Sequence, residues 1–239
     1  MLVMAWLYYA TSGDRAFLDD NYDLFCEWVR YLVRYGLVPS NQLCTDDFAG
    51  HLDKNANLAV KAIEGIYCFS KIAAALGKDA ERDKFEATAR EYAARWRELY
   101  NDGDHTVLSY GNDSTFSLKY NMAIDVLSGG ALFDAALVAR ELEYYDGKAG
   151  KYGVPLDSRN TYTKTDWMLW VAALGADGEC DKYSRYIADF LTDTPDRVPF
   201  SDWIYSDRPN YQTFRNRTVQ GGCFFPLLKK YWSDVCKAK

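Results

Sequence analysis

Eight side chains able to bind, hydrogen-bond or move protons crowd positions 45 to 57: Thr45, Asp46, Asp47, His51, Asp53, Lys54, Asn55 and Asn57. Carboxylates, a hydroxyl and one of the chain's two histidines in one stretch suit proton transfer to a bound molecule. Phe48 and Leu52 read as anchors for an otherwise polar loop. Asn55 or Asn57 then caps a helical hydrophobic pattern running from Ala56 to Leu76. The loop is thus delivered to a helix N-terminus, where free amides and the macrodipole favour anionic groups. The plainer reading, a well-capped structural loop, needs neither the paired aspartates nor His51.

Further along, three more polar stretches carry comparable groups: Ser117, Lys119 and Asn121; Asp157, Arg159, Tyr162, Lys164 and Asp166; then Asp202, Trp203, Arg215, Arg217 and Gln220. A carboxylate-rich set with arginines and little histidine suits acid/base hydrolysis, one carboxyl held protonated and another ionised. Asp46 and Asp47 are adjacent, so their side chains diverge; a working pair would join one of them to Asp157, Asp166 or Asp202. Each aspartate has a structural alternative as a loop cap or a partner of Arg159, Arg215 or Arg217. Arg159 and Arg215 are candidates to hold a substrate carboxylate bidentately. For Trp167, Trp170 and Trp203 core packing is the default, with Trp203 in its polar loop the best placed to line a pocket. Thr45 as a nucleophile would have only His51 near it as a base. The motifs of serine hydrolases, P-loops, dinucleotide folds and H-E-x-x-H enzymes are absent.

These stretches must be positioned by helices, because a 3.6-residue hydrophobic period recurs nearly throughout and strand alternation is almost absent. Helices are predicted over 2–11, 15–35, 56–76, 80–100, 118–127, 133–145, 164–174, 180–191 and 218–233, with a short hairpin around 105–110. Short glycine-containing turns alternate with long polar loops. In an array of helix pairs that alternation gathers the long loops at one end, where they form a pocket.

With 239 residues, 49% of them hydrophobic, the chain can bury one large core, and a net charge of −6 speaks against nucleic acid as a partner. No apolar run is long enough to cross a membrane. The apolar start, Met1 to Ala10, lacks a basic leader and a cleavage site and reads as a helix. Six scattered cysteines without C-x-x-C spacing read as free thiols, so no metal or other cofactor is expected.

Several of the stretches resemble the glutaminase A family: Asn41-Gln-Leu-Cys-Thr-Asp-Asp-Phe-Ala-Gly-His51, Asn55-Ala-Asn-Leu58, Ser117-Leu-Lys-Tyr-Asn121 and Tyr152-Gly-Val-Pro-Leu-Asp-Ser-Arg159. Tyr162-Thr-Lys-Thr-Asp-Trp167, Val198-Pro-Phe-Ser-Asp-Trp203 and Arg215-Asn-Arg-Thr-Val-Gln-Gly-Gly222 continue the series in order. The resemblance implies an all-α, six-helical-hairpin, (α/α)6-toroid domain and hydrolysis of L-glutamine to L-glutamate and ammonia. It also implies an extracellular or periplasmic protein, larger than this chain, in which positions 1–239 are one domain touching upstream β-rich regions. The helical pattern supplies about four and a half to five hairpins. On this reading Asp46 or Asp47 activates water or Thr45, and Asp157 or Asp166 assists departure of ammonia. Thr45, His51, Lys119, Asn121, Arg159, Asp202, Trp203 and Arg215 contact the small-molecule substrate. The rivals are a glycoside hydrolase with a carboxylate pair on the same architecture, and a non-catalytic ligand-binding or scaffold domain.

Overall fold

The computed structural model describes residues 1–237, and among them the fold is mostly helical. The element that orders the rest is helix α4 (Ala56–Ala75), whose Ala56, Ala59, Ala62, Ala73, Val60, Ile63, Ile66, Phe69 and Ile72 are buried on several sides at once. Only a helix enclosed by neighbours takes so continuous an apolar sequence. Asn55 caps it, its side-chain oxygen accepting from the amides of Asn57 and Leu58 at 2.9 and 3.1 Å. Around it stand α1 (Leu2–Ser12), α2 (Arg15–Asp20) and α3 (Tyr22–Tyr35) before it, and α5 (Asp79–Tyr100) after it. Helix α5 buries Phe85, Ala89, Ala93, Trp96 and Tyr100 against α4, and the Trp96 indole donates to the Ala56 carbonyl at 2.9 Å.

The second half repeats the scheme with α6 (Ala123–Ser128) and α7 (Ala135–Asp146), then α8 (Thr165–Ala172) and α9 (Asp177–Asp193). Gly129, in the left-handed region at φ 68°, caps α6 and turns the chain toward α7. The chain closes with α10 (Phe225–Lys230) and α11 (Trp232–Val235). Helix α1 packs on α4, α4 on a 3-10 turn at Tyr120–Met122, that turn on α8, and α8 on a 3-10 segment, Thr218–Phe224. Trp232 then meets Trp6 at 5.9 Å, and the Lys237 amide donates to the Ala10 carbonyl at 2.7 Å, returning the last segment to the first helix.

Three small antiparallel ladders sit in the long loops: β1 (Gln42–Leu43) with β2 (His51–Leu52), β3 (Asn101–Asp102) with β4 (His105–Thr106), and β5 (Tyr162–Lys164) with β6 (Trp203–Tyr205). The last ladder fastens the third long loop to the fourth, with Lys164 opposite Trp203.

The structure departs from the sequence expectations at the ends of elements. The single helix expected over 15–35 breaks at Asn21, whose side-chain amide donates to the Phe17 carbonyl at 2.8 Å and so competes with the helical ladder. The expected closing helix over 218–233 divides, because Gly221 and Gly222 lie in the 3-10 segment and Pro226 can start a helix but not continue one.

Candidate active site

Lys164 ends β5 and flanks the first turn of α8, and the Thr165 amide donates to the Asp202 carbonyl at 2.9 Å. This register brings three loops to one ammonium group. Its Nζ lies 3.0 Å from Asp46, 3.2 Å from Asp166 and 3.2 Å from Asp202, and all four residues are buried. Asp202 meets it as an ion pair outside hydrogen-bond geometry, and Arg217 lies 3.6 Å from the same carboxylate oxygen. The place that a divalent cation would take among three carboxylates is thus filled by a side-chain ammonium.

Asp46 is held on every side. Its oxygens accept from the Trp167 indole at 2.9 and 3.0 Å and from the Tyr120 hydroxyl at 3.0 Å. Tyr120 and Trp167 stack at 4.1 Å with planes 7° apart, so the second long loop is locked to α8 as well. Burial alone would lower the pKa of Lys164, but Asp46, Asp166 and Asp202 outweigh it and raise the value. Asp166 moves the other way from an ordinary carboxyl. Burial raises it, Lys164 only partly offsets that, and the charges of Asp202 and Asp46 add to the rise, giving about 6.

A cleft of about 300 Å³ opens onto this cluster, bordered by Thr45, Asp46, Lys164, Asp166, Trp170 and Arg217 among others. Four buried polar atoms on its walls have no hydrogen-bond partner among the described residues: Thr45 Oγ, Asp166 Oδ1, Trp170 Nε1 and one terminal nitrogen of Arg217. Buried polar groups in folded proteins are nearly always satisfied by protein or ordered water, so such a cluster facing one cleft offers partners to whatever molecule enters it. Gly222 keeps it open. A Cβ there would come within 2.9 Å of the Asp166 Cβ and 3.2 Å of Trp170 Nε1.

The sequence matches the Glutaminase A six helical-hairpin domain over residues 1–227. The chain belongs to the glutaminase A six-helical-hairpin family. Glutaminase A of Aspergillus oryzae is 35% identical to it over 235 residues, 95% of this chain and 34% of that protein. A probable glutaminase of Arthroderma benhamiae is 30% identical over 257 residues, 92% of this chain and 30% of that protein. The chain spans about a third of the length of these two relatives.

Against this glutaminase-family frame the expected site residues divide. Thr45, Asp46, Asp166 and Asp202 meet at Lys164 or its cleft. Asp157 does not: it borders a separate small space with Thr45 and Asp46, and its carboxylate turns to Arg159 and not to a first-loop carboxylate. It is buried in a bidentate contact with Arg159, at 3.0 and 2.7 Å, and accepts from the Arg159 amide. The same contact corrects Arg159, whose remaining terminal nitrogen donates to the Ala49 carbonyl at 2.9 Å and pins the first loop. Lys119 is also corrected. It is wholly buried and donates to the Thr106 and Ser117 carbonyls and the Ser117 hydroxyl, with burial lowering its pKa to about 8. Arg215 lies exposed, bound to the Gln212 and Phe214 carbonyls of its own loop. His51 is exposed on β2, away from the cleft walls. Trp203 packs into the core, stacked on Phe48 at 4.0 Å, and does not line the cleft. Asn121 is tied to Asn57 at 2.9 Å yet borders the compartment next to the cleft. Asp47 opens a 3-10 turn, and its side chain lies outside the described residues.

Lys164 and Arg217 stand in the expected polar set without a role of their own, and Trp170 is expected in the core; the cleft needs all three. Their signal was local: Lys164 and Asp166 flank one threonine, and Trp167 and Trp170 share a helical face.

Because Asp157 and Arg159 hold the loops together, Asp157→Asn is expected to cost about 1–3 kcal/mol of stability, the scale of a buried acceptor left mispaired. Turnover per folded molecule stays within a factor of about two. Urea unfolding beside an activity titration checks both.

Proposed function

We propose that the Lys164 cleft hydrolyses the side-chain amide of L-glutamine. The observation that carries this reading is the unpartnered Asp166 Oδ1, in one cleft with the unpartnered Trp170 Nε1 and with a terminal nitrogen of Arg217 that meets Asp202 only as a 3.6 Å ion pair. A base and an oxyanion site are what water attack on an amide requires. Ionised Asp166 takes a proton from water at Oδ1 as the water oxygen bonds to the amide carbon. The carbonyl oxygen becomes an oxyanion facing Arg217 and Trp170. The intermediate collapses, the carbon–nitrogen bond breaks, and the proton on Asp166 passes to the nitrogen, releasing ammonia and L-glutamate. Lys164 keeps the other Asp166 oxygen in place at 3.2 Å, and Asp46 and Asp202 hold Lys164. Glutaminase relatives at 30 to 35% identity support the choice of amide over other substrates.

A base with a pKa near 6 works when ionised, so kcat/KM should rise as pH climbs through about 6 and level off above it. The pH profile of ammonia release from L-glutamine, with sugar release from an oligosaccharide panel measured in parallel, tests the assignment. The second reading, glycoside hydrolysis, draws on the same raised Asp166 next to carboxylates paired with cations. There Asp166 would act as the protonated acid, and sugar release would fall as pH rises through about 6. Sugar release with that falling limb and no ammonia would replace the amide reading.

A further inference from the structure

Glu64 lies in the middle of α4 with no exposed surface, and neither of its carboxyl oxygens has a hydrogen-bond partner among the described residues. An acid kept only for the fold is normally capped or paired, as Asp125 is by the amides of Leu132 and Phe133 at 2.8 and 3.1 Å. Glu64 instead borders a second compartment of about 460 Å³, which lies next to the Lys164 cleft and shares Thr45, Trp167 and Trp170 with it. Lys61, nearly one turn earlier on the same helix, borders that compartment too, with its side chain open to solvent.

The other titratable groups around Glu64 are Cys68 on α4, Asp125 on α6, the Met1 amino group, and Tyr31 and Tyr35 of α3. Asp46 acts on Lys61 from the first loop, and α8 contributes only the indoles of Trp167 and Trp170. Burial, with Asp125 adding, holds Glu64 well above the usual carboxylate range. Partial enclosure lowers Lys61, and Asp46 opposes that. The compartment therefore offers a neutral acid with nothing to bond and an accessible cation, three residues apart along one helix.

We propose that Glu64 and Lys61 receive the α-amino and α-carboxylate groups of a free amino acid, its side chain passing Trp167 and Trp170 toward Asp166. This rests on the amide-hydrolase reading and narrows it to glutamine with both α-groups unblocked. The α-ammonium brings the cation that Glu64 lacks, so the acid ionises on binding and its proton leaves to solvent. Lys61 meets the α-carboxylate.

The test uses the product, L-glutamate, in calorimetry, and L-glutamine with N-acetyl-L-glutamine in kinetics. Wild-type protein should release close to one proton per L-glutamate bound near pH 7, read from buffers of different ionisation enthalpy, and Glu64→Gln should release none. Acetylating the amine should raise KM about tenfold or more in wild type, the scale of one charge-assisted contact, and far less in Glu64→Gln, with kcat changed little. The wild-type comparison of the two substrates needs no variant and stands even where Glu64→Gln fails to fold. Ammonia release that ignores both acetylation and Glu64 overturns the proposal and leaves the amide-hydrolase reading standing. Glutamate binding that needs Glu64, without any ammonia release, supports the subsite and overturns the hydrolase reading. Absence of both overturns the two together.

Discussion

Asp166→Asn lowers kcat/KM for L-glutamine by about 10²- to 10⁴-fold, the usual range for losing a positioned acid or base. The replacement is isosteric and keeps a carbonyl oxygen for Lys164, so the melting temperature should move by only a few degrees. Binding of L-glutamate should survive, because the α-groups are held elsewhere. The residual activity should also lose its rise through about pH 6, since the group that titrates there is gone. Activity within a factor of about three of wild type would remove Asp166 from the chemistry.

Lys164→Met gives the largest expected loss of stability, about 3–5 kcal/mol, the scale of removing one partner from a buried ion pair. Asp46, Asp166 and Asp202 would then face one another with only Arg217 near, at 3.6 Å from Asp202. Without Lys164, which offsets part of the rise, the native pKa of Asp166 climbs further above its unfolded value. The native state then binds more protons than the unfolded state between those values, and stability falls as pH climbs through that window. The variant should therefore approach wild-type stability toward pH 4 and fall furthest behind above pH 7. Urea midpoints at several pH values check this, and a penalty independent of pH would mean that the three carboxylates are not neutralised by Lys164.

The helix pairs were legible because their hydrophobic period and glycine turns are properties of local sequence, and the loops at their ends were legible as the places where chemistry would gather. Asp46, Asp166 and Asp202 were within reach of that reasoning. Choosing among the aspartates was not, because it depends on backbone register. Asp157 turns to Arg159 two residues on, since the loop offers it a fork and an amide together. Asp166, at the start of α8, turns instead to Lys164. Lys164 itself sits between two threonines in a short strand and looks like an ordinary surface residue until the pairing with β6 buries it. Glu64 was hidden differently. A single acid in an apolar helix reads as one solvated position, and only the packing of α1, α3 and α8 around it shows that it has no solvent to face.

The most direct measurement is a crystal structure with the product, L-glutamate. The new side-chain carboxylate should lie within hydrogen-bond distance of Trp170 Nε1 and the Arg217 guanidinium, and the amino-acid end in the compartment of Lys61 and Glu64. L-Glutamate seated at another surface, such as the groove between α6 and α7 bordered by Val126, Phe133 and Val138, would contradict the account.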